Sequence, residues 1–469
     1  MSGVHKHPVC CRRANGDCWG AATPADDACC GRRPSAASAW WSPAATRSGP
    51  PAGHQPRPGH RRPLGQHHPA PGCRWRRRPR LLTGSRPAVR DSARPAGSVS
   101  SRPMISAGEF CGELRRRRVG FVTGVPCSYF NGPIALLERQ PSGYVAAANE
   151  GAALAMAAGA ELRGVRSAVL VQNSGFGNLV NPLTSLLDVF AVPVLVFMSL
   201  RGWPDPDGDE PQHAVMGRTG HALLDVLGVP HWTLRPTVDS LRDLLDRADH
   251  ARQRGRAAWI LVPKGSVGEA PGEPGPEPAF RRREALAALL PHVEHDIVYA
   301  TTGFISRELS GLADRPLNFY VAGSMGHALA LGLGTALHEP RRRVIVLDGD
   351  GAALMHLGTA ATVGAYAPPN LLHVVLDNHS YESTGAQRTT SASVRWTDLG
   401  RGLGYRTVAE CSDGDAVRGT LRAIAAQDGP HLVVVHIGAD RATTPPRVTR
   451  LGTPPELAAR FRAAVAEPD

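Results

Sequence analysis

The segment VIVLDGDGAALMHLGTAATVGAYAPPNLLHVVLDNHSY, residues 344–381, governs the reading of the whole chain. An apolar, β-branched run ends at Leu347, the turn Gly349–Asp350–Gly351 follows, and an Ala/Leu helix begins. A second apolar run, Leu372–Leu376, ends in Asp377–Asn378. Strand, glycine turn, helix and strand in that order argue a parallel sheet with its ligands beyond the carboxyl ends of the strands. Glycines there let backbone N–H groups come close to a phosphate at a helix start. A dinucleotide site would use the same geometry, but two features count against it. Leu354 stands where the third glycine of GxGxxG belongs, and Asp350 would aim a carboxylate at a pyrophosphate unless a cation lay between them. With Asn378 at the second strand end, the site offers hard oxygen donors that suit Mg²⁺ bridging a diphosphate.

Outward from this segment, the same alternation covers residues 104–469. Val119–Val122, Val169–Gln172, Val194–Phe197 and Trp259–Val262 read as buried strands, with an Ala-rich helix over Gly151–Arg163. Ile297–Ala300, Phe319–Val321 and Leu432–Val435 join the two strands already named. The fold class is therefore α/β: two doubly wound parallel-sheet domains, 104–267 and 280–469. The stretch GEAPGEPGPEP from residue 268 has no apolar periodicity and reads as a linker, 268–279. The longest apolar run, Val189–Met198, carries Pro193 and is too short to span a bilayer, so no membrane partner is expected.

Residues 1–103 are different in kind. They hold 18 basic and 4 acidic residues, against 35 and 37 in the remainder, so the net charge of +12 sits in one arm. With 15 prolines and no Ile or Phe, the arm lacks the apolar surface to offset its ordering entropy and is expected to be disordered. Its run Cys73–Arg80 could grip phosphates, but a nucleic-acid partner is not expected. Only two of 53 basic residues are Lys, as GC-rich coding sequence would give, so translation is expected to start at or near Met104. Six of nine cysteines lie in the arm. The three others cannot form a disulfide framework, which fits a reducing cytoplasm.

The glycine turn, the 25-residue spacing and the terminal Asn resemble the thiamine diphosphate (ThDP) signature of the 2-oxoacid decarboxylases and their relatives. The family usually has two asparagines at the second strand end; here the first is Asp377. The resemblance implies that Asp350 and Asn378 bind Mg²⁺ through their side chains and Ser380 through its backbone carbonyl. It also assigns Thr302, Gly303, Gly349, Gly351, Ala352 and Tyr381 to the cofactor. In GSMGHA, residues 323–328, it puts Met325 beneath the cofactor, beside Gly323 and Ser324. The other half should resemble the family's pyrimidine-binding domain. YVAAANEGAALAMAAG, residues 144–159, supplies its glutamate, Glu150, at a helix start among small residues. Desolvation there would raise its pKa toward that of a proton donor.

With no room for a third domain between the halves, the layout resembles the phosphonopyruvate and sulfopyruvate decarboxylase branch. MISAGEF (104–110), TGVPCSYF (123–130), QNSGFGNLVNPL (172–183), DEPQHAVMGRTG (209–220) and ATTGFISREL (300–309) carry that likeness. One chain holding both halves favours the phosphonate enzyme, which makes phosphonoacetaldehyde and CO₂, over another ThDP-dependent 2-oxoacid decarboxylase. A small anionic substrate needs donors and positive charge. Ser128, Asn173, Gln212, His213 and Arg218 are the candidates, with His213 also a possible proton relay. The resemblance implies a homodimer or larger homo-oligomer, with Glu150 and the diphosphate half of each site on different subunits.

Overall fold

The computed structural model describes residues 104–141, 143–269, 278–440 and 444–467. The arm 1–103 and most of the expected linker, residues 270–277, lie outside the described residues.

The first half carries strands β1 (Val119–Gly124), β2 (Val145–Ala146), β3 (Arg166–Gln172), β4 (Leu195–Ser199), β5 (His231–Thr233) and β6 (Ala258–Val262). They form one parallel sheet in the order β2-β1-β3-β4-β6-β5. The second half carries β7 (Ile297–Ala300), β8 (Asn318–Tyr320), β9 (Val344–Gly349) and β10 (Leu371–Asp377). A short antiparallel pair follows, β11 (Ser380–Tyr381) with β12 (Gln387–Arg388), and then β13 (Thr407–Cys411) and β14 (His431–His436). The second sheet is again parallel, in the order β13-β14-β10-β9-β7-β8.

The central strands read as unbroken apolar runs because helices cover both faces of each sheet. In β3, Ala168, Val169, Leu170 and Val171 are fully buried, the odd and even positions entering separate cores. The second sheet divides its core in the same way: Ile345 and Leu347 of β9 face one side, Val344 and Val346 the other. Each such side chain contributes roughly 1.5–3 kcal/mol on burial.

Both sheets have a switch point that opens a crevice at the strand ends. In the first, β2 and β3 lie on opposite sides of β1; in the second, β8 and β9 flank β7. Chains leaving the central strand in opposite directions part above that junction. Val125 and Pro126 follow β1, Thr301 and Thr302 follow β7, and Asp350 follows β9.

The helix expected over Gly151–Arg163 spans Glu150–Leu162. Asn149 caps it, its Oδ1 accepting from the Ala152 N–H at 2.8 Å, a contact worth about 1 kcal/mol. Ala153, Ala157 and Ala158 are buried and have no bulk to hold the helix away from the sheet. The two halves touch at several points. Asn149 Nδ2 donates to the Met355 carbonyl at 3.4 Å, Gln387 donates to Asn131, and Arg447 pairs with Glu210 at 2.6 Å. Cys111, Cys127 and Cys411 are free and buried. Among the described residues, no helix is long and apolar enough to cross a membrane.

Candidate active site

A cavity of about 110 Å³ opens where the two halves meet. Val125 and Pro126 contribute the first half's wall; Thr302, Met325, Asp350, Asn378 and Tyr381 are among the residues of the second. β9 runs two residues past its expected end, so Gly349 closes the strand and Asp350 opens the helix Asp350–Met355. Asp350 is 2% exposed and accepts a hydrogen bond from the Thr389 hydroxyl. Burial, reinforced by the Asp377 carboxylate and opposed by that bond, pushes the Asp350 carboxyl up from its ordinary value.

Asp350, Asp377 and His379 bring donor atoms within 4.8 Å of one another. Asp377 is nonetheless committed elsewhere. Its Oδ1 accepts from Ser391 Oγ at 2.8 Å and from the His379 N–H at 3.1 Å, and its Oδ2 from the Trp396 indole at 2.8 Å. Asn378 lines the cavity instead, with its Oδ1 accepting from the Ser380 N–H at 3.0 Å in a side-chain-closed turn. An aspartate in place of the first asparagine therefore anchors the turn and leaves the second strand-end residue to face the cavity.

These residues fit a divalent cation with an anionic group. The donors are carboxylate, amide and hydroxyl oxygens, and a buried carboxylate with a second one beside it is relieved by a cation. Ser380 Oγ and Thr301 Oγ1 line the same cavity, are buried, and make no hydrogen bond. Gly351 serves packing: a Cβ there would fall 2.5 Å from the Tyr381 ring. Ala352, the next residue, also lines the cavity. Gly303 precedes the helix Phe304–Leu312, and Gly323 and Ser324 line an adjoining cavity rather than this one.

Glu150 is 6% exposed, and its Oε2 accepts from Asn178 Nδ2 at 2.7 Å. Its Oε1 lies over Gly175, where a Cβ would fall 2.0 Å away. Burial raises its carboxyl above the ordinary range, against the Asn178 bond. The Tyr381 phenol, pushed up first by burial, also feels the charges of Asp350 and Glu150. The tyrosine therefore lies within electrostatic reach of both. Within this chain Val125 and Pro126 of the first half share the cavity with the second-half residues, and Glu150 is not among the residues lining it.

Beyond the carboxyl ends of β1, β3 and β4, His213 is buried with its Nδ1 3.0 Å from Asp209 Oδ1 and its Nε2 3.5 Å from Gln172 Nε2. Asp209 is gripped by Arg201 through Nε at 2.8 Å and Nη2 at 2.7 Å. Burial works against ionisation of Asp209, but these bonds hold its carboxyl well below the usual range. Burial and then Arg201 push the His213 imidazole down, so the ring is neutral at pH 7. Cys127 is fully buried and burial pushes its thiol up, which leaves it no role as a nucleophile.

Arg218 is exposed on the helix Ala214–Val226, and the arginine that stands with His213 is Arg201, at the end of β4. Asn173 faces the backbone: its amide donates to the Arg201 carbonyl at 2.9 Å and accepts from the Arg201 N–H at 3.1 Å. Ser128 opens the turn after β1. Gln212 packs its Cβ on Gly323 and keeps a buried, unpartnered Oε1. Sequence reasoning also missed Arg282 and Glu382, a buried ion pair on the cavity wall.

Residues 307–435 match the thiamine pyrophosphate enzyme, C-terminal TPP binding domain. The chain is 42% identical over 389 residues to the phosphonopyruvate decarboxylase of Streptomyces viridochromogenes, covering 78% of this chain and 96% of that one. It is 40% identical over 390 residues to the Streptomyces hygroscopicus phosphonopyruvate decarboxylase, covering 78% and 95%. The sulfopyruvate decarboxylase subunit beta of Methanothermobacter thermautotrophicus is 37% identical over 166 residues, 35% of this chain and 86% of its own.

Proposed function

From the premise that this chain belongs to the phosphonopyruvate decarboxylase family of thiamine diphosphate-dependent carboxy-lyases, we propose that it converts 3-phosphonopyruvate and a proton to phosphonoacetaldehyde and CO₂. The observation that carries the reading is the cavity between the halves that has Asp350, Asn378 and Tyr381 on its wall. Asp350, Asn378 and Ser380 would hold Mg²⁺ on the diphosphate. Thr302, Gly303, Gly349, Gly351, Ala352 and Tyr381 would surround that group, with Gly323, Ser324 and Met325 on the loop beside it. When bound, the cofactor supplies the electron sink that lets a carboxylate leave as CO₂.

The chain's own residues do the rest. Glu150, its carboxyl raised above the ordinary range by burial, would exchange a proton with the aminopyrimidine. Asp209 orients the His213 ring through Nδ1, leaving the neutral Nε2 beside Gln172 to hold or relay a proton at the substrate end. Ser128 and Gln212 add polar contacts for the anionic substrate. A homodimer or larger homo-oligomer, a cytoplasmic setting and a role in phosphonate natural-product biosynthesis belong to the same reading. Measuring CO₂ release from phosphonopyruvate and sulfopyruvate, with Mg²⁺ and ThDP present, tests it. Preference for phosphonopyruvate is expected; preference for sulfopyruvate, or release from neither, overturns it.

A further inference from the structure

Glu382 does nothing in the reaction so far described, yet three hydrogen-bond donors converge on it. Its Oε2 accepts from Asn378 Nδ2 at 3.0 Å and from the Arg282 guanidinium, while its Oε1 accepts from the Asp440 N–H. Arg282 opens the helix Arg282–Leu289 and also pairs with Glu308 on the helix Phe304–Leu312. The side chains of Arg282, Glu308 and Glu382 are 4%, 5% and 7% exposed. Such a buried cluster adds little net stability by itself, because desolvation offsets most of the attraction. Its geometry points to another role.

An asparagine amide can sit in either of two flips, and only one turns its oxygen toward a metal. Flipping Asn378 would put Oδ1 against the Glu382 carboxylate and Nδ2 against the Ser380 N–H, which now donates to Oδ1 at 3.0 Å. The flip therefore exchanges two hydrogen bonds for two repulsions. The Arg282 guanidinium holds the Glu382 carboxyl group directed inward. We propose that Glu382, with Arg282 as its counter-ion, is a positioning residue that locks the Asn378 amide with its oxygen presented to the divalent cation. The inference rests on the reading of Asn378 as a metal ligand.

The test is Mn²⁺ binding to the full-length protein in the presence of ThDP, with free Mn²⁺ counted by electron paramagnetic resonance, so that turnover is not the readout. Glu382→Gln should weaken Mn²⁺ binding about 10–100-fold, the usual effect of losing a partner that orients a ligand. A second variant reverses the sign. Asn378→Asp sets two carboxylates against each other, so adding Glu382→Gln to it should tighten Mn²⁺ binding relative to Asn378→Asp alone. A purely structural role would add its loss in both backgrounds. Should Glu382→Gln not fold, Glu382→Asp keeps the charge beside Arg282 but shortens the reach to Asn378, and should weaken Mn²⁺ binding at least tenfold. Unchanged binding in the folded variant, or a further loss in the double variant, overturns the inference. No Mn²⁺ binding by the unsubstituted protein would instead defeat the metal reading itself.

Discussion

Replacing Glu150 with Gln makes two demands on the proposed mechanism, one kinetic and one thermodynamic. Gln has the same size, so Asn178 can still donate to its oxygen and the fit over Gly175 is retained. What disappears is the proton. A positioned acid or base contributes about 10²–10⁴-fold, so kcat should fall by that factor, about 3–5.5 kcal/mol of activation free energy, while ThDP still binds. Stability should move the other way. Burial raises the folded-state carboxyl above its ordinary 4.5, so the contribution of this site is full below that pH and is lost as pH climbs through the folded value. Each unit of elevation costs the cofactor-free wild type about 1.4 kcal/mol once Glu150 is ionised. The Gln variant avoids that cost. Calorimetry of the two cofactor-free proteins between pH 4.5 and 8 should show melting temperatures that separate as pH rises, the variant higher by about 2 °C per kcal/mol. Turnover within tenfold of wild type, or a separation that does not depend on pH, would refute the role given to this carboxyl.

Other outcomes follow from single contacts. Gly175→Ala places a methyl group 2.0 Å from Glu150 Oε1, so kcat should drop about 100-fold with little loss of fold by circular dichroism. Asp350→Asn should raise the Mg²⁺ needed for half-maximal ThDP binding by more than about 100-fold, since even indirect partners of a metal cost 10–100-fold. Arg201→Ala removes both guanidinium bonds to Asp209 and should raise KM about 10–100-fold. Arg218→Ala, on an exposed helix face, should stay within about twofold. Steady-state kinetics of that pair distinguishes the two arginines.

What the sequence disclosed follows the physics of burial. β3, β4, β6, β9, β10 and β14 are covered on both faces, so they appear as unbroken apolar runs. Three of the four sheet edges escaped. β2 has two residues, β5 is the half-buried His231–Trp232–Thr233, and β13 keeps Glu410 exposed. An edge strand needs less apolar surface and leaves a fainter trace. The strand-end residues of the site were legible because glycine and carboxylate are out of place after a hydrophobic run. Arg201 left the same trace, a charge just after the apolar end of β4, and was passed over for Arg218 in a richer-looking motif. The Arg282–Glu382 pair had no such trace. Its members stand 100 positions apart, and opposite charges at that separation carry no period.

The two sheets have one further consequence. Among the described residues, none of the core residues of either half falls between 268 and 279, so severing the backbone there would leave both cores intact. Covalent continuity then chiefly keeps the halves at a high mutual concentration. A gene broken at that point could yield two separately translated polypeptides that reassemble through the Asn149–Met355, Asn131–Gln387 and Glu210–Arg447 contacts. The architecture tolerates fission and fusion alike.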